Sequence, residues 1–99
     1  MEVKKHSEQD KVVISIIGEV DSSNVADLEK SLNSAILDQT NVIIDLGEME
    51  YVSSAGLRVF LMIQKKMNEQ GELLIRNMNE EVMDIFTVTG FTKLLNLAN

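Results

Sequence analysis

The sequence contains no cysteine, so disulfides, thiol nucleophiles and thiolate metal sites are excluded. It contains no proline either, which leaves every turn to Gly, Asn, Asp and Ser. Histidine occurs once, as His6. No apolar run approaches the ~20 residues that span a bilayer. The opening Met1-Glu2-Val3-Lys4-Lys5-His6 has charge but no apolar stretch after it, so no signal peptide is read and a cytoplasmic setting is expected. Basic residues are in deficit. Nine Lys and Arg against sixteen Asp and Glu give a formal charge of −7, which repels a phosphate backbone, and nucleic-acid or membrane partners are not expected. Lys65-Lys66, late in a helical stretch, is accounted for by the helix dipole.

What is present is an ordinary globular composition, 44% hydrophobic and 25% charged, in 99 residues. That length fits one domain, read as residues 1–99, able to bury roughly 65% of its unfolded surface. Val3 and Lys5 precede a polar turn at Ser7 to Asp10, and the β-branched run Lys11 to Ile17 follows, which predicts an antiparallel hairpin with its first run at an edge. His6 is expected exposed on that edge. Gly18-Glu19-Val20-Asp21 leaves the strand, and Ser22-Ser23-Asn24 offers helix N-caps. Val25, Leu28, Leu32, Ala35 and Ile36 mark one apolar face of a helix that ends at Gln39 to Asn41. Val42 to Leu46 reads as a central strand covered on both faces, parallel to the earlier one. Gly47 to Val52 reads as a loop. A largely buried helix over Ala55–Met67 stops with Gly71 at C′. A strand over Glu72–Asn77 and a helix capped by Asn79, carrying Val82, Ile85 and Phe86, come next. Gly90 breaks that helix, and the segment after it predicts a helical turn and a small edge strand. The order is α/β, with four or five strands and three main helices.

The centre of the chain is Asp45 to Arg58, where a buried strand leads through a polar stretch to Ser53-Ser54 at a helix start. No catalytic motif is found there. A serine hydrolase needs a base beside its serine, and Val52-Ser53-Ser54-Ala55-Gly56 lacks the first Gly of the nucleophile elbow. Neither a Walker A loop nor a G-x-G-x-x-G fingerprint occurs. Glu48 and Glu50 read as solvated acids, and Asp45 reads either as a site residue, because sites collect at strand ends in α/β folds, or equally as a cap for the following loop. No catalytic residue, cofactor or metal is expected. A serine before a helix is first of all an N-cap. A phosphate on Ser54 would carry about −1.5 to −2 charges in the positive field of the helix terminus, tolerable to the fold, with Arg58 one turn on to pair with it. Ala55-Gly56 leaves the helix start nearly bare, open to close approach by another backbone.

Gly18-Glu19-Val20-Asp21, Val42 to Leu46, Tyr51 to Val59 and Thr89 to Leu94 together resemble a bacterial anti-sigma factor antagonist of the STAS domain type, over nearly the whole chain. That resemblance implies a mixed sheet with helices packed mainly on one side. It also implies a phosphorylatable serine at the start of the second helix. The unphosphorylated form would bind an anti-sigma factor that is also a serine kinase, releasing the sigma factor. Phosphorylation would end the binding and a serine phosphatase would restore it. Many members carry Asp-Ser-Ser-Gly-Leu here. Aligned on Gly56-Leu57, the modified serine falls on Ser54, while Ser53 replaces the Asp and Ala55 the second Ser. Asp21 and Ser22 match the family's other partner-lining stretch, so the implied partner surface comprises Asp21, Ser22, Ser53, Ala55, Gly56, Leu57 and Arg58. Two other readings accompany this one. The first is a STAS subunit of another regulatory assembly, such as a stress-sensing complex or a regulator of a transporter or lipid system. The second is a small hydrolase using the acid-rich stretch.

Overall fold

A computed structural model describes residues 1–98. The hairpin forms as expected. β1 (Glu2–Glu8) pairs antiparallel with β2 (Lys11–Val20) across Gln9-Asp10, where Gln9 takes a positive φ of 58°. α1 (Val25–Ile36) then leads to β3 (Asn41–Asp45), parallel to β2 with Ile14 opposite Ile44. β4 (Met49–Val52), α2 (Ser54–Gln70), β5 (Glu72–Arg76) and α3 (Glu80–Val88) follow. The sheet runs β1-β2-β3-β5, with β4 pairing β2. The strands are mixed in sense, as expected.

Alternation along the strands assigns the two faces. Ile14, Ile16, Val42, Ile44, Leu73 and Ile75 join one core with Leu28 and Leu32 of α1, Leu57, Phe60 and Ile63 of α2, and Val82 and Phe86 of α3. The helices therefore share one face of the sheet. Val13 and Ile43 point the other way and lie outside that core, yet they are only 0% and 5% exposed. Long polar side chains cover them. Arg76 on β5 donates through Nε to Asp45 of β3 at 3.1 Å and pairs through Nη2 with Glu8 of β1 at 3.4 Å, lying across the face that carries no helix. The expectation of a strand covered on both faces holds for β3, by helices on one side and by this strap on the other.

Two expectations about these elements fail. First, β2 does not end at Ile17. It continues to Val20 through a register shift between Gly18, at φ +93°, and Glu19. Second, the expected loop over Gly47 to Val52 contains β4, whose Tyr51 and Val52 pair with Glu19 and Val20. Only Met49 and Val52 of that strand are buried, so its sequence lacks the alternation that marks a half-buried strand. Gly71 stops α2 as expected, directly after Gln70. Its φ is 168°, extended backbone, and a Cβ there would lie 2.0 Å from the carbonyl oxygen of Thr40. Glycine is needed for that close approach, where the Glu72 N–H donates to Thr40 at 2.9 Å.

The C-terminal segment pairs with the β5 edge. Leu97 bridges Ile75 in parallel, and buried Gln64 of α2 accepts from the Asn96 N–H at 3.1 Å. A short 3-10 turn at Phe91–Lys93 precedes it, after Gly90 at φ +80°. The expected edge strand is thus a single bridge. His6 is exposed on the edge strand β1, as expected, 3.8 Å from Glu8.

Candidate functional site

The site is assembled where β2 and β4 end together. The Ser53 N–H donates to the Val20 carbonyl at 2.9 Å, which sets the residues after β2 beside the start of α2. Asp21, Ser22, Ser53, Ser54 and Ala55 are therefore neighbours, although about thirty residues separate the two stretches in sequence.

The turn after β2 is tightly tied. One oxygen of Asp21 accepts from the Ser23 N–H at 2.9 Å and from its hydroxyl at 2.6 Å. These bonds, the hydroxyl's first, hold the Asp21 carboxyl below its ordinary pKa. Asn24 closes the turn, accepting from the Asp21 N–H at 3.0 Å and donating to the Glu19 carbonyl at 2.9 Å. Asn24 occupies the cap position of α1, but its side chain makes no capping bond, so the expected N-cap in Ser22-Ser23-Asn24 is used as a turn instead. Ser22 is left exposed, with no hydrogen bond to its hydroxyl among the described residues. Ser23 and Asn24 were not singled out as site residues. The run Asp-Ser-Ser-Asn is the signal that marks them, because each of these side chains closes local turns.

The two serines of α2 divide their work. Ser53 is the N-cap, half-buried, its hydroxyl accepting from the Gly56 N–H at 3.3 Å. Ser54 is the first helical residue. It is exposed, and its hydroxyl has no partner among the described residues. Arg58 follows one turn later on the same exposed face, also without an ion pair among the described residues.

Gly56 and Leu57 face inward, so their expected place on a partner surface is corrected. Leu57 is fully buried in the core. Gly56 is buried against the strand ends, where a Cβ would lie 2.7 Å from Val52 Cγ2 and 2.8 Å from Val20 Cγ1. Its missing side chain seats the helix on the sheet and does not admit a visitor. Ala55 is half-buried and reaches the surface in part.

Asp45 lies away from this cluster. It accepts from the Gly47 N–H at 2.8 Å, so of its two readings the capping one is found, and it also accepts from Arg76 and Asn77. Partial burial pushes its pKa up, but these three donors together outweigh that push and hold it below the ordinary value. No group of three or more metal-ligating side chains occurs among the described residues. His6 stands opposite Val13, far along β2 from the Val20 end where Ser54 lies, and no hydrogen bond joins the Ser54 hydroxyl to a base among the described residues. No helix among the described residues is long and apolar enough to cross a membrane.

The family model described as the STAS domain matches residues 1–99. A Bordetella bronchiseptica protein, BtrV, named as a candidate anti-sigma factor antagonist, is 37% identical over 84 residues, covering 83% of this chain and 72% of its own. The anti-sigma-B factor antagonist of Listeria monocytogenes is 27% identical over 97 residues, 96% of this chain and 85% of that one. Among solved structures, an anti-sigma factor antagonist from Mycobacterium paratuberculosis superposes with a TM-score of 0.88 at 20% identity, over 97% of this chain and 83% of its own. The antagonist SpoIIAA in its unphosphorylated form gives 0.78 at 20% identity, over 99% and 89%. Its phosphorylated form from Bacillus gives 0.70 at 19%, over 99% and 92%.

Proposed function

The chain belongs to the STAS domain family, and from that premise we propose that it is an anti-sigma factor antagonist switched by phosphorylation of Ser54. It acts in the cytoplasm by binding and not by catalysis. In its unmodified form it engages an anti-sigma factor that doubles as a serine kinase, through Asp21, Ser22, Ser53, Ala55, Arg58 and Ser54 itself, and the sigma factor is released. The kinase then phosphorylates Ser54 and the complex parts. A serine phosphatase resets it.

The observation that carries this reading is the contrast between the two serines. Ser53 is occupied as a cap, whereas Ser54 presents a free hydroxyl on a helix rooted in the core. A phosphate there lies beside N–H groups that the helix leaves without intrahelical acceptors, so modification changes the surface without unfolding the domain. Two negative charges and the added volume then oppose a closely fitted partner. A doubly charged group at a contact of this kind weakens binding by about tenfold or more, roughly 1.4 kcal/mol.

The test uses the anti-sigma kinase. Ser54→Ala is expected to fold and bind it while taking up no phosphate, and Ser54→Asp is expected to bind about tenfold more weakly by calorimetry. Phosphate mapped by mass spectrometry to Ser53, or an unchanged affinity for Ser54→Asp, removes the assignment.

A further inference from the structure

The sheet has a second feature that the Ser54 surface does not use. β1 lies at the end of the strand order and pairs with β2 alone. A two-residue hairpin closes on a hydrogen-bonded pair, here Glu8 with Lys11, and bonded and non-bonded pairs alternate from there. Glu2, Lys4, His6 and Glu8 therefore exchange bonds with β2. Val3, Lys5 and Ser7 turn their N–H and C=O groups away from it, and none of the three has a backbone partner on that outer side among the described residues.

The same residues line an open groove. Val3 and Lys5 form one wall, and Lys30, Ser31, Ser34 and Ala35 of α1 form the other, around a volume of about 420 Å³. Its floor is apolar at Val3 and Ala35. Its charged groups are both cationic, in a chain of formal charge −7, and neither Lys5 nor Lys30 has an ion pair among the described residues. Free backbone donors and acceptors, an apolar floor and two unneutralised ammonium groups thus meet along one edge.

We propose that this edge docks an extended acidic peptide segment of a partner protein, which adds as a strand alongside β1. Backbone pairing with Val3, Lys5 and Ser7 supplies the register. Alternate side chains of the added strand, two residues apart, place a carboxylate between Lys5 and Lys30 and a small apolar group over Val3 and Ala35. The hydroxyls of Ser31 and Ser34 are within the same groove to donate to that carboxylate. A second copy of this chain fits worse. Antiparallel self-pairing of β1 sets Lys5 against Lys5 with Glu2 against Glu8, or sets Lys4 against Lys4 or Lys5, so like charges meet in each central register. The lysines that block self-association select a strand of opposite charge.

The test is nitrogen-15 NMR of the full chain, titrated with a blocked peptide as long as β1 in which Glu and Val take turns at every second position with Thr between them, so that one face carries both. Shifts and slowed hydrogen exchange at Val3, Lys5 and Ser7 are expected, and the doubly reversed Lys5→Glu/Lys30→Glu chain is expected to bind about tenfold more weakly at an unchanged melting temperature. N-methylation of alternate peptide amides is expected to abolish the protection. The proposal is overturned if the same peptide with Lys in place of Glu binds equally well. It is also overturned if inorganic phosphate alone reproduces the shifts, since the site then holds a free anion, or if sedimentation shows a second copy on the edge. Its failure leaves the Ser54 reading untouched, because neither lysine belongs to that surface.

Discussion

Two adjacent serines with the same chemistry have opposite fates here, and hydrogen bonding decides which. Ser53 gives its oxygen to the Gly56 N–H, so a phosphate on it would displace the cap. Ser54 gives up nothing when modified. Arg58, one turn on from Ser54, is exposed and has no ion pair among the described residues, and in the proposed switch it is the residue to pair with the phosphate. If it closes on the phosphate, Arg58→Ala destabilises the phosphorylated chain by about 1 kcal/mol or less, the scale of a solvated ion pair, and leaves the unmodified chain unchanged. Thermal melts of both forms check this, and equal shifts in the two would remove Arg58 from the role.

At the level of elements, the start of α2 is held by how closely it approaches the sheet. β2 and β4 end in Val20 and Val52, and Gly56 is the residue that lets the helix settle on both. Gly56→Ala puts a methyl group inside contact distance of two valines that are themselves buried. We expect a loss of about 1–3 kcal/mol, read as a lower urea midpoint at constant slope. The same change would lift Ser54 from its position, so phosphorylation should slow as well. A stability equal to wild type would mean that the helix start is not tightly seated.

For the whole molecule, the sheet face without helices depends on polar side chains. Arg76 joins β5 to β3 through Asp45 and to β1 through Glu8. Asp45 has a lowered pKa in the folded state, so between its folded and unfolded values the unfolded chain binds more protons. Its contribution is therefore present above the ordinary carboxylate range and is lost as pH falls through the lower folded value. Asp21 shares that direction. Asp45→Asn should remove part of the acid-side loss, by about 1 kcal/mol or less given its exposure, and urea midpoints measured from neutral to acid pH would show it. Identical pH profiles for the two chains would mean that the strap over Val13 and Ile43 carries no charge-dependent stability.

Local pattern determined much of this protein. The Leu28, Leu32, Ala35, Ile36 spacing and the Val42-Ile43-Ile44 run announced a helix and a buried strand because periodic burial is written into consecutive residues. The serine pair at a helix start was legible for the same reason, and family resemblance pointed to Ser54 within it. Tertiary structure decided what depends on distant partners. β4 is a strand because Glu19 and Val20 offer it a ladder, although its own residues show no alternation. Gly71 and Gly56 are glycines because Thr40, Val20 and Val52 come close to them, and none of those neighbours is predictable from the glycines' own surroundings. That closeness also turned Gly56 and Leu57 from expected surface into seat. A sequence records which residues prefer burial, but which hydroxyl is left unbonded is a matter of distance, and distance exists only once the chain has folded.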